Sequence, residues 1–164
     1  LPIDSFVSYA RTLGFSRSIQ TEHNESRLVP GYLGQRIGWR EFAQTDAAVY
    51  HALPDSDRAR CAILGFHYGE SAAIDYFAHK FDLPKVIGRH NSYWLWGLGA
   101  TTGEVQLVMV SVMARVEPYF RHVQWVASYE FPYVDGLFRV HNIFLCRDLV
   151  MPVPEWWRQL QTFD

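Results

Sequence analysis

Several common protein signatures are missing from this sequence. Cysteine is scarce: Cys61 and Cys146 are the only two. They form no CxxC pair and have no histidine at ligand spacing, so no zinc signature is present. Each lies in an apolar run that reads as a strand. Buried free thiols are the plain reading, with a disulfide across the sheet as the alternative. Long apolar runs are also missing. The most apolar stretch, Val105 to Val116, is interrupted by Gln106, Ser111 and Arg115, whereas a membrane-spanning helix needs roughly 18 apolar residues. No excess of one charge exists: 15 Lys plus Arg face 17 Asp plus Glu, a formal charge of −2. Such a balance leaves no global footprint for nucleic acid, and no nucleic-acid partner is expected. The chain opens Leu1-Pro2 rather than with Met, which suggests a cut or processed product. It has no charged stretch followed by an apolar run and a small-residue cleavage site, so no signal peptide is expected. These residues therefore read as soluble.

What is present is a core. Hydrophobic residues reach 49% and charged residues only 20% of 164 positions. That excludes wholesale disorder and fits one ordinary domain. Aromatics reach 16%, enough to ask whether some of them do more than fill space. The expectation is a single soluble domain over 1–164, with 1–38 as an N-terminal helix plus a wrapping segment.

Periodicity gives the elements. Residues 4–13 read as a short helix with Asp4 as its cap, Phe6, Val7, Ala10 and Leu13 on one face, and Gly14 as the stop. Residues 15–37 read as a long connection. Trp39, Phe42, Ala43, Ala47, Tyr50 and Leu53 recur at helical spacing over 39–53. Cys61 to Phe66 reads as a buried strand. A helix follows near 70–80, then a brief strand over 85–88, an aromatic loop, and a strand over 104–112 that is apolar on both faces and so central. A weaker helix over 113–120 is interrupted by Pro118. Strands over 123–130 and 137–146 flank a turn with Asp135-Gly136, an antiparallel hairpin pattern. Residues 152–164 read as a Pro- and Trp-rich tail. This alternation predicts an α/β fold: a three-layer sandwich, with a mostly parallel central sheet of about five strands, an antiparallel edge pair, and helices on both faces.

Two segments carry chemistry. His67-Tyr68-Gly69-Glu70-Ser71 lies at a strand-to-helix turn, where open α/β sheets bind ligands. Glu70 in the first helical turn is also favoured by the helix dipole alone. The turn is no phosphate loop, because the glycine spacing is missing and a carboxylate there repels phosphate. Arg89-His90-Asn91-Ser92-Tyr93-Trp94-Leu95-Trp96-Gly97 follows the next strand. Aromatic faces beside amide and carboxylate groups suit a sugar ring, a lipid or an apolar partner; equally, Tyr93, Trp94 and Trp96 suit plugging the end of the sheet. The candidate ligand-binding residues are Tyr68, Glu70, His90, Asn91, Tyr93, Trp94 and Trp96. A metal site from His67, Glu70 and His90 lacks ligand spacing. A nucleophilic set with Ser71 or Ser92 lacks a GxSxG elbow. No metal, no cofactor and no catalytic residue is assigned. Asp55 and Asp57 read as turn and cap residues.

The run Tyr68-Gly69-Glu70-Ser71-Ala72-Ala73-Ile74-Asp75, then Leu83-Pro84, then His90-Asn91-Ser92-Tyr93-Trp94-Leu95-Trp96-Gly97 resembles a soluble C-terminal domain of bacterial polytopic membrane glycosyltransferases. These are glycosyltransferase family 39 and its relatives, similar to the dolichyl-phosphate-mannose-protein mannosyltransferases and the lipid A aminoarabinose transferase. Gly38-Trp39, Leu53-Pro54 and Cys146-Arg147 are further similar pieces. His67 stands where the family pattern has Asn, and Gly88-Arg89 where it has Ser-Gly, which alters any pocket between them. The resemblance implies transfer of a sugar from a polyprenyl-phosphate donor by the membrane part, whose catalytic acidic residue has no counterpart here. It also implies placement on the periplasmic side of an inner membrane. The partners implied are the membrane-embedded portion of the same chain and a glycan or glycosyl acceptor. Two other readings stand beside it: a free-standing hydrolase-type enzyme with Glu70 and His90 as acid–base groups, and a purely structural module. If the resemblance holds, the natural gene upstream of Leu1 encodes several apolar segments of about 20 residues each. Sequencing that region checks it, and a start codon immediately upstream would refute it.

Overall fold

The protein is described from a computed structural model over residues 2–14, 31–134 and 136–163. Most of the expected wrapping connection, residues 15–30, lies outside the described residues. In chain order the helices and strands are α1 (Ile3–Thr12), α2 (Gly31–Gly34), α3 (Trp39–Ala52), α4 (Asp55–Arg58), β1 (Cys61–Gly65), α5 (Tyr68–Phe81), β2 (Val86–Gly88), α6 (Ser92–Leu95), β3 (Val105–Val110), β4 (Phe120–Glu130), β5 (Val140–Leu149) and α7 (Val153–Leu160). They fall into two compact units. One holds residues up to Gly38 together with 130–140, and the other holds 39–129 with 141–163.

The larger unit is built on a five-stranded sheet in the order β2-β1-β3-β5-β4. β2, β1 and β3 are parallel, and β5 runs antiparallel to β3. β3 is the middle strand, and all six of its residues are buried. The fold is therefore α/β with a mixed sheet and an antiparallel edge pair, as the alternation of the sequence predicts. Register sorts the core into two faces, because successive strand residues point opposite ways. Ile63, Val86, Leu107 and Leu145 form one row, and Leu64, Ile87, Val108 and Phe144 form the next. The first face is covered by α5 and α3, which pack on each other. The second is covered by α7, whose Trp156, Trp157 and Leu160 join Leu64, Ile87, Val108 and Phe144 in one cluster.

Cys61 pairs with Val105, and Val105 with Arg147, which puts Cys61 on the α3/α5 side. Cys146 pairs with Gln106 and lies on the α7 side. Two thiols on opposite faces of a sheet cannot bond, and both are free and buried. Burial pushes each thiol up to about 12.

Several expectations are corrected. The Pro- and Trp-rich tail at 152–164 holds a helix, which its prolines start. Pro152 occupies the cap position of α7 and Pro154 its first turn, where a missing N–H costs nothing. The expected helix over 113–120 is two 3-10 turns, Met113–Arg115 and Glu117–Tyr119. Pro118 removes the donor that would have joined them. The aromatic loop contains a helical turn, α6, and the turn after Pro54 contains α4. Among the described residues, no helix is long and apolar enough to cross a membrane.

In the smaller unit, Val7 and Ala10 are the buried residues of α1. Asp4 does not cap that helix. Pro2 holds the cap position, and Asp4 accepts a 2.5 Å hydrogen bond from the Tyr133 hydroxyl instead. Phe131 and Val134 are buried, and the Phe131 N–H donates to the Arg139 carbonyl at 2.8 Å.

Trp156 is fully buried, and its Nε1 has no hydrogen-bond partner. Its contribution is therefore packing alone. Trp156→Ala is expected to cost about 3–5 kcal/mol in urea unfolding. Trp156→Phe, which breaks no hydrogen bond, is expected to cost less than about half of that. Equal losses in the two variants would show that the indole N–H matters after all.

Candidate functional site

β1 and β2 end side by side, with Gly65 opposite Gly88. Both are glycine for a steric reason. A Cβ on Gly65 would stand 2.3 Å from Ser71 Oγ, and one on Gly88 would stand 2.5 Å from the same atom and 2.7 Å from Tyr93 Cβ. Such distances are far inside van der Waals contact. Ser71, fully buried, thus seats the first turn of α5 directly on the two strand ends, and Tyr93 seats α6 on Gly88. The two segments singled out in the sequence meet at one rim because both follow neighbouring parallel strands.

The start of α5 is closed by a capping box. His67 takes the cap position usually held by Ser or Thr. Its Nδ1 accepts from the Gly69 N–H at 3.2 Å, and its own N–H donates to Glu70 Oε2 at 2.8 Å. The other oxygen of Glu70 lies 2.6 Å from His141 Nδ1 on β5. Since a carboxylate only accepts, the ring proton there is on Nδ1. Both partners are almost fully buried. Trp39 and Phe42 of α3 wall this pair in, with ring centroids 6.3 and 5.7 Å from the His141 ring. One turn further along α3, Asp46 is fully buried and neither carboxylate oxygen has a partner. Burial, and then the Glu70 charge, hold its carboxyl well above the usual carboxylate range.

His90 lies beside this box. Its Nδ1 accepts from the Tyr68 N–H at 3.4 Å, and its ring sits 5.1 Å from that of His67 and 5.2 Å from that of Tyr68. Both His67 and His90 therefore use Nδ1 as an acceptor, the role of an unprotonated ring nitrogen. Past β2 the chain is stitched to the C-terminal segment. The Asn91 N–H donates to the Thr162 carbonyl at 2.9 Å, and the Thr162 N–H to the Arg89 carbonyl at 3.2 Å. Asn91 itself adopts φ +53° and ψ −131°, outside the left-handed helical well and sparsely populated by any residue with a Cβ.

The seven candidate residues separate into three groups. Glu70 and His90 are only 2% and 6% exposed, and Trp94 is half-buried against the α7 cluster. Its Nε1 donates to the Trp157 carbonyl at 2.9 Å, and the two indoles stack at 6.1 Å. Asn91 and Tyr93 are half-buried. Tyr68 and Trp96 face solvent, 50% and 59% exposed. Tyr93 and Trp96 meet edge to face at 4.6 Å. The Tyr93 hydroxyl donates to Asp75 Oδ2 at 3.3 Å, and burial, then Asp75, push it up to about 12.

Three members of the site were not expected: Asp46, Asp75 and His141. Asp46 could have been found, since it shares the helical face of Phe42, Ala43 and Ala47. Asp75 sits one turn plus one residue after Glu70 on α5, but only the fold brings it to Tyr93. His141 carries no local signal, because its partner Glu70 is remote in sequence. Among the described residues, no three His, Cys, Asp or Glu side chains stand together as metal ligands.

Comparisons with protein-family models, with curated proteins and with solved structures find no match to this chain.

Asp46 gives a prediction with a definite sign. A raised carboxyl holds its proton more tightly in the folded than in the unfolded protein. Its favourable effect is complete below the unfolded value of about 3.9 and is lost as pH rises toward the folded value. Asp46→Asn removes that dependence. The variant is expected to melt a few degrees above the parent protein at neutral pH, with the gain vanishing near pH 4. Parallel melting curves across this range would refute the assignment.

Proposed function

We propose that this chain is the accessory domain, on the periplasmic side, of a membrane glycosyltransferase that uses a polyprenyl-phosphate-sugar donor, and that it binds a glycan or glycosyl acceptor at the rim beyond β1 and β2. Its partners in this reading are the membrane-embedded portion of the same chain and the glycan. The family assignment is supported by the resemblance over Tyr68–Asp75 and His90–Gly97. The binding role is supported by the exposure of Trp96 at the centre of that second run.

Exposed apolar side chains that stand together, unlike single ones, mark a candidate contact surface. Trp94, two residues earlier, is half-buried and its N–H is bonded to the Trp157 carbonyl. The loop anchors one tryptophan and leaves the other out. Tyr68 and Leu95 add to the open surface, at 50% and 66% exposure. Rings with hydrogen-bonding neighbours fit the two sides of a pyranose, its C–H face and its hydroxyls. Acid–base catalysis by Glu70 and His90 receives no such support. Both are under the surface, and both are engaged in holding α5 and the rim together.

The test is a titration of the chain with methyl glycosides of glucose, mannose, galactose and N-acetylglucosamine, followed by saturation-transfer NMR. At least one is expected to bind. Trp96→Ala is expected to weaken it several-fold, in line with about 0.5–1.5 kcal/mol for an aromatic stacking contact. Because Trp96 is exposed, the melting temperature is expected to stay within about a degree. Absence of transfer to every glycoside would refute the binding role.

A further inference from the structure

The exposed ring of Trp96 is not alone. Tyr93 meets it at an interplanar angle of 62°, so the two rings form a corner rather than a flat patch. The far end of Tyr93 is tied to Asp75 on the neighbouring helix α5 through a single carboxylate oxygen, Oδ2. Asp75 is half-buried, so it keeps contact with the surface. The corner therefore carries a stacking platform, a phenol and a carboxylate in sequence.

The charge at this corner is one-sided. From Asn91 to Gly103 the chain contains no Asp, Glu, Lys or Arg, so the loop that bears Trp96 is uncharged. Arg89, just before it, is turned onto the Phe66 ring, with its guanidinium carbon 4.6 Å from the centroid. On α5 the nearest basic residues, His79 and Lys80, lie at least one turn beyond Asp75 and are exposed. Among the described residues of α5 and this loop, Asp75 is the carboxylate hydrogen-bonded to the aromatic corner.

We infer that Trp96, Tyr93 and Asp75 form a sugar subsite selective for uncharged pyranoses over acidic ones. The inference rests on the glycan-binding reading above and narrows it. Trp96 stacks on the C–H face of the ring. The sugar hydroxyls donate to the Asp75 carboxylate, an acceptor-only group that makes strong charge-assisted hydrogen bonds. A sugar carboxylate brought to the same place offers no donor and meets a like charge, which costs affinity on both counts.

The probes are methyl β-glucoside and methyl β-glucuronide, which share their ring hydroxyls and differ at C6. Binding is read by saturation-transfer NMR at low salt on the chain and on the variants Asp75→Asn and Trp96→Ala. The glucoside is expected to bind at least about tenfold more tightly than the glucuronide. Asp75→Asn is expected to bring the two within about threefold, mainly by admitting the glucuronide. Trp96→Ala is expected to weaken the glucoside several-fold. Circular dichroism of both variants reports that the fold is kept, and Tyr93→Phe, which removes only the hydroxyl, serves as a second variant if Asp75→Asn does not fold. Equal binding of the two probes overturns the selectivity. Glucoside binding that neither variant alters overturns the subsite while leaving the glycan-binding reading intact. If no glycoside binds the parent chain, both readings fall together.

Discussion

The carboxylate of Glu70 is the point on which the larger unit turns. One oxygen closes the first turn of α5 by accepting from His67, and the other reaches across to His141 on β5. A helix end, a strand-to-helix turn and an antiparallel strand are thereby joined through one buried side chain. Removing one partner from a buried hydrogen bond costs roughly 1–3 kcal/mol, because the other is left unsatisfied. The surroundings follow from that cost. Trp39 and Phe42 keep water from the pair, and Asp46, close enough to feel the Glu70 charge, is driven toward its neutral form. A second carboxylate charge in that space would compete for the same stabilisation.

Above this polar anchor the rim is held by backbone contacts rather than by side-chain chemistry. Gly65 and Gly88 let α5 and α6 come down onto the strand ends. Thr162 ties down the chain just past β2 through two main-chain bonds, to Arg89 and Asn91. The histidines at the rim accept backbone N–H groups. The result is a stiff floor with little free chemistry and an aromatic surface standing on it. This division explains why one short loop serves two purposes. Trp94 packs half-buried on Trp157 of α7, while Trp96 is left outside beside Tyr93.

Much of the architecture was legible in the sequence. Apolar runs such as Cys61–Gly65 and, broken only by Gln106, Val105–Val110 announce parallel strands buried on both sides, and the spacing of Trp39, Phe42, Ala43 and Ala47 announces α3. The meeting of the two chemical segments also followed, since both leave adjacent strands. What escaped were features set by distance in sequence or by competing local signals. Prolines at the head of α7 look like a breaker when read alone and like a helix start only when Trp156, Trp157 and Leu160 have a face to fill. Glu70 looks like a surface acid at a helix N-terminus until His141 is placed against it. The same holds for Asp75, whose tie to Tyr93 depends on how α5 and α6 sit on Gly88. Residue type and periodicity mark out candidate groups, whereas their exposure is decided by packing partners far along the chain.

The placement of the cysteines has its own consequence. Cys61 and Cys146 lie in adjacent regions of the same sheet but under different helical layers, one beneath α3 and α5 and the other beneath α7. Neither can reach the other, and with its thiol pushed up to about 12 by burial, neither is reactive in place. The fold is therefore indifferent to whether its compartment is oxidising or reducing. Each thiol instead becomes an independent reporter of its own layer. A reagent that labels Cys146 before Cys61 would record α7 lifting from the sheet while the Glu70–His141 side stays closed, and the reverse order would record the opposite breathing motion.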